Sequence, residues 1–128
     1  MVALLKKTKI LALDRIKATW PVLRLVCMYP RAFPNITGLR LEFPEDNFDI
    51  FMAIPDELLA QITELGLNEV TYNEDPEKFI TMARHLIQRT RKLKYLRISP
   101  VNQQNSWIKL LAECEPVLSE LETLIIGA

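Results

Sequence analysis

The sequence predicts an α/β fold: a short curved stack of about five β–α units, with a parallel sheet on the concave face and helices on the convex face. Three observations point there. A Leu-x-x-Leu-x-Leu frame recurs along the chain at nearly constant spacing. Between copies the apolar spacing switches from a period of two to one of about 3.6, as expected where strand alternates with helix. The composition, 49% hydrophobic and 25% charged over 128 residues, suits one folded unit and excludes disordered, collagen-like and coiled-coil chains.

The frame reads Ile36-Thr37-Gly38-Leu39-Arg40-Leu41, then Ile62-Thr63-Glu64-Leu65-Gly66-Leu67, Leu93-Lys94-Tyr95-Leu96-Arg97-Ile98 and Leu121-Glu122-Thr123-Leu124-Ile125-Ile126. A weaker copy, Thr8-Lys9-Ile10-Leu11-Ala12-Leu13, carries threonine in the first apolar place. Between the middle apolar residues Leu11, Leu39, Leu65, Leu96 and Leu124 the intervals are 28, 26, 31 and 28 residues. Alternation within each frame puts two apolar side chains on one face of a short strand.

The connections read as helices. Asp75-Pro76-Glu77 followed by Phe79, Ile80, Ala83, Leu86 and Ile87 combines an acidic cap, a first-turn proline and one apolar stripe. Asn105-Ser106 followed by Trp107, Ile108, Leu110, Leu111 and Cys114 repeats the design and ends near Pro116. Trp20-Pro21 followed by Val22, Leu23, Leu25, Val26 and Met28 predicts a shorter helix stopped by Pro30. In the second connection Asp46 or Asn47 caps a turn carrying Phe48, Phe51 and Met52, and Pro55 then starts another at Asp56-Glu57-Leu58-Leu59. Strand then helix, repeated, sets parallel strands side by side. No unit covers its apolar face alone, so stacking makes the core.

With these frames the chain resembles leucine-rich-repeat proteins of the β–α kind, as in ribonuclease-inhibitor-like domains and in F-box proteins that carry such repeats. The resemblance covers most of the chain. It implies a solenoid in which residues 1–128 form a single leucine-rich-repeat-like domain or a fragment of a longer array. The asparagine or cysteine usual at the ninth place is replaced by Ile16, Pro44, Val70 and Val101, leaving the turn after each strand without its usual backbone partner. Two strings are also similar to parts of the F-box: Ile54-Pro55-Asp56-Glu57-Leu58-Leu59-Ala60-Gln61-Ile62 to its opening, Leu23-Arg24-Leu25-Val26-Cys27 to its close. That similarity implies a substrate-recognition part of a ubiquitin-ligase adaptor. The order is reversed here, and a proline-initiated turn feeding the strand accounts for the first string without it.

Charge is banded although the net is zero. Residues 1–41 hold eight basic residues and one acidic, 42–77 eleven acidic and no basic, 78–109 eight basic and no acidic, and 110–128 four acidic and no basic. Such bands suit steering of a complementary partner as well as plain solvated faces. In the basic run, Arg84 and Arg91 are expected to share a helix face, with Arg97 on the opposite side of the sheet. Cations so divided, with Tyr95 alone interleaved and acidic bands on both flanks, argue against nucleic acid as partner.

Catalytic patterns are missing from the sequence. His85 is the sole histidine, which excludes His-based metal sites, and it is expected at the surface or the edge of the core. Gly38, Gly66 and Gly127 all fall in strand frames, so no phosphate-cradling loop is expected. No cofactor, metal or enzymatic activity is expected. The longest apolar runs fall far short of the roughly 20 residues of a membrane span. Lys6, Lys7 and Lys9 interrupt the first apolar stretch, against a secretory signal. Cys27 and Cys114 read as buried, reduced thiols of an intracellular protein, cytoplasmic or nuclear.

Because the frame's apolar residues point inward, those between them line the concave sheet: Ile10, Ala12, Asp14, Gly38, Arg40, Glu42, Glu64, Gly66, Asn68, Tyr95, Arg97, Ser99, Thr123, Ile125 and Gly127. Arg40, Glu42, Glu64, Asn68, Tyr95, Arg97 and Ser99 form a mixed-charge, hydrogen-bonding surface suited to a protein partner. The expected function is a non-catalytic protein-interaction module serving one partner or several subunits of a complex. It would use this face and the uncapped ends, since the last frame leaves an apolar edge for more chain or another subunit to cover. The alternative is a structural or accessory subunit of a large assembly.

Overall fold

A computed structural model describes residues 2–13, 16–43, 49–69, 76–99 and 106–127. All five frames are strands: β1 (Ile10–Leu13), β2 (Gly38–Phe43), β3 (Glu64–Glu69), β4 (Tyr95–Ser99) and β5 (Thr123–Ile126). They form one parallel sheet in chain order, β1-β2-β3-β4-β5. Leu11, Leu39, Leu65, Leu96 and Leu124 stand in register across it, the alignment that the frames predict. Parallel neighbours need crossover connections, and here these carry helices. Helix α1 (Val2–Lys7) precedes β1; α2 (Ile16–Met28), the one-turn α3 (Asp49–Met52) and α4 (Asp56–Leu59), α5 (Pro76–Arg89) and α6 (Ser106–Cys114) lie between strands.

One hydrogen-bonding device joins each unit to the next. The Lys9 carbonyl accepts from the amides of Thr37 and Gly38 (2.8 and 2.9 Å), and that of Thr37 from Thr63 and Glu64 (2.7 and 3.1 Å). The Thr63 carbonyl accepts from Lys94 and Tyr95 (2.8 and 3.0 Å), and that of Lys94 from Glu122 and Thr123 (2.8 and 3.0 Å). Each oxygen thus uses both lone pairs at the same place in the frame. Side-chain amides add to two joins. Asn35 Nδ2 donates to the Lys6 carbonyl at 2.9 Å, and Gln61 Nε2 donates to the carbonyls of Phe33 and Ile36, both at 2.8 Å. Both residues sit one place before their frame, where Lys92 and Glu120 stand in the last two units.

The core lies on one side of the sheet. Leu11, Leu13, Leu39, Leu41, Leu65, Leu67, Leu96 and Ile98 pack with Leu23 and Val26 of α2, Phe51 of α3, Leu58 and Leu59 of α4, Phe79, Ala83, Leu86 and Ile87 of α5, and Leu110 and Cys114 of α6. Each large apolar side chain so buried contributes about 1.5–3 kcal/mol. Ile10, Ala12, Arg40, Asn68 and Arg97, alternating with these strand residues, are exposed. One face of the sheet is covered by apolar packing and the other is open. Ile54, Leu58, Leu59 and Ile62 of the F-box-like string are in the core, and α4 feeds β3 as a proline-initiated turn would.

Several residues depart from the sequence reading. Helix α2 starts at Ile16, four residues ahead of Trp20, with Pro21 inside it. Pro21 cannot donate to the Lys17 carbonyl, a loss confined to one bond near the helix start. Ile16, expected at the turn after β1, is helical. Ile108 is 73% exposed because it lies two residues, about 200° of helix, from buried Leu110. Met28 and Met52 are exposed at the ends of their helices. Leu124 and Ile126, expected in the core, are 45% and 48% exposed: β5 pairs on one side only, and no helix follows it among the described residues. Helix α1 was not expected; Leu5 reaches the core, and Thr8 Oγ1 donates to the Leu4 carbonyl at 2.7 Å. Threonine in the first apolar place of the weakest frame therefore ends a helix. Asp14, Pro44, Asp46, Asn47, Phe48, Val70, Asp75, Val101 and Asn105 lie outside the described residues.

Candidate functional site

Strand register turns the open face into rows. Arg40, Gly66 and Arg97 stand side by side on β2, β3 and β4; Glu42, Asn68 and Ser99 form the row beyond, and Gly38, Glu64 and Tyr95 the row before. Around Gly66 these rows enclose a recess of about 330 Å³ whose lining includes Ala12, Arg40, Glu42, Asn68, Tyr95, Arg97 and Ser99. Six of the seven candidate residues are thus brought together and Glu64 is not. Its Cβ lies 3.5 Å from where a Gly38 side chain would begin, and an Ile10 carbon 3.0 Å from the same point. Ile10 and Glu64 therefore close over Gly38, which is buried rather than open.

Gly66 forms the floor. A Cβ there would lie 3.3 Å from Arg40 Cγ, so the absent side chain is what leaves the space. Its signal in the sequence was smallness at the central strand's middle position, flanked in register by two arginines. Ser99, expected on the open surface, is only 9% exposed although it lines the recess. Arg40 and Arg97 are exposed, and neither has a hydrogen-bond or ion-pair partner among the described residues.

Three arginines on the helix side are paired within the chain. Arg31 pairs with Glu57 at 3.4 Å, Arg89 with Asp56 at 2.6 Å and Arg84 with Glu113 at 2.8 Å, each pair joining one charge band to the next. Such exposed or half-exposed pairs are worth about 0–1 kcal/mol each. Arg89 also donates to the Ile54 carbonyl at 2.5 Å and lies 2.8 Å from His85 Nε2. Helix α5 ends at Arg89, so Arg91 does not extend the face that carries Arg84. Partial burial and the Arg89 charge lower the His85 pKa, against the opposing effects of a Met52 backbone hydrogen bond and Asp56. Cys27, half-buried rather than buried, has its thiol pushed up to about 11 by desolvation, and Cys114 is also raised, chiefly by burial. Thiols held protonated in this way are poor nucleophiles.

Among the described residues no cluster of three or more His, Cys, Asp or Glu is arranged to hold a metal, and no helix is long and apolar enough to cross a membrane. No protein-family model matches the sequence, and no curated protein or solved structure matches it significantly.

Proposed function

We propose that the chain is a non-catalytic protein-interaction module, a leucine-rich-repeat-type solenoid of about five β–α units that binds a protein partner across its open sheet face. One observation supports this most: opposite the apolar covered face, three adjacent strands present Arg40, Glu42, Asn68, Tyr95 and Arg97 around one recess. Unpaired arginines add little to a monomer's stability, whereas Arg and Tyr are frequent interface anchors. The solenoid part rests on strands laid down in chain order and on the same carbonyl device at four successive joins. Affinity capture from cell extract, with Arg97→Glu as comparison, tests the reading. Loss of a specifically retained protein with an unchanged thermal melt is the expected result. Equal capture by the variant removes this face from the proposal.

A second reading, an accessory subunit of a larger assembly, draws on Leu124, Ile125 and Ile126, all exposed on the edge strand β5. Sedimentation over a range of concentrations tests it: a species that stays at 14.8 kDa counts against self-assembly through that edge.

A further inference from the structure

We propose that the recess is a carboxylate clamp: an acidic side chain of a peptide segment in the partner sits over Gly66, between the guanidinium groups of Arg40 and Arg97. This rests on reading the open face as a protein-binding surface. Arg40, Gly66 and Arg97 are consecutive in one row of the sheet. Two strand spacings put the arginine Cα atoms roughly 9–10 Å apart, and their stems can converge above the glycine. A side chain at position 66 would crowd Arg40 and fill the gap, since its first carbon alone comes within 3.3 Å of Arg40 Cγ. Both cations are exposed and lack partners among the described residues, unlike Arg31, Arg84 and Arg89 on the helix side.

A guanidinium presents paired N–H donors that match the two oxygens of a carboxylate, so one such group bridging both arginines satisfies each of them. Asn68 and Ser99 on one side and the Tyr95 hydroxyl on the other line the same recess and can donate to a bound oxygen. Glu42 at the rim, with Glu64 nearby, opposes a doubly charged phosphate more than a single carboxylate. The volume of 330 Å³ is at the low end of roughly 300–1,000 Å³ for ligand pockets, room for one or two side chains rather than a cofactor.

The test is an amide NMR titration of the whole chain with an amidated hexaglutamate peptide, and with hexaglutamine as its uncharged counterpart. Saturable shifts of the Arg40, Gly66 and Arg97 amides with hexaglutamate alone are expected. Arg40→Gln or Arg97→Gln weakens binding by about tenfold, the loss of one charge-assisted hydrogen-bonding group. Gly66→Ala weakens it while keeping a dispersed spectrum. Equal shifts with hexaglutamine, or arginine variants that bind as the parent does, overturn the clamp but keep the face as a peptide surface. Shifts confined to Lys6, Lys7 and Lys9, or no shifts with either peptide, overturn the clamp and count against the face itself.

Discussion

Replacing Gln61 by leucine removes the side-chain amide that ties the second and third units together. Its Nε2 donates to the Phe33 and Ile36 carbonyls at 2.8 Å, and Gln61 is half-buried. The Phe33 carbonyl keeps a second donor, the Ile36 amide at 3.2 Å, so the orphaned acceptor is mainly that of Ile36. Leaving one such group unsatisfied, with leucine's bulk in place to hinder water, costs about 1–3 kcal/mol. With a urea m-value of about 1–3 kcal/mol/M, the midpoint falls by roughly 1 M at unchanged slope. The corresponding change Asn35→Leu removes a single bond at an exposed site, worth about 0.5–1 kcal/mol. Urea denaturation followed by circular dichroism measures both. A Gln61→Leu loss below about 0.5 kcal/mol, or one no larger than that of Asn35→Leu, refutes the reasoning.

Leu65 is fully buried on the central strand, so Leu65→Ala is expected to destabilise by about 2–5 kcal/mol in the same assay; a parent-like midpoint contradicts the core assignment. His85 is held below its ordinary value of 6.5, so the folded state binds its proton less readily than the unfolded state. Its contribution is constant above about pH 6.5 and is lost as pH falls toward the lower folded value, a slope that His85→Gln flattens. Identical slopes for parent and variant between about pH 7 and 5 exclude His85 as the cause. With its thiol raised to about 11, Cys27 should react slowly with iodoacetamide at neutral pH and quickly after unfolding; fast native labelling at Cys27 contradicts the desolvation.

Strand placement was legible because period-2 alternation is local, and Leu11, Leu39, Leu65, Leu96 and Leu124 carry it in every unit. Helix ends were less so. Pro21 reads as a start because proline is favoured there, yet the chain tolerates it in the second turn of α2 at the loss of one bond. Ile108 fits an apolar stripe by composition, but among the described residues α6 turns Leu110 and Cys114 into the core with Leu111 partly buried beside them, and its packing partners decide which face that is. Of the candidate site, the sequence indicated which residues share the open face but not which of them enclose space.

What the sequence by itself determined is the repeating alternation of strand and helix, and with it the two faces of the sheet, because both follow from periodicity within a few residues. Tertiary structure alone decided that Asn35 and Gln61 reach back to the preceding unit, that Glu64 closes over Gly38, and that Gly66 opens a recess between Arg40 and Arg97. Each of these depends on a neighbour 25 or more residues away in sequence, brought within a few ångströms by the parallel register.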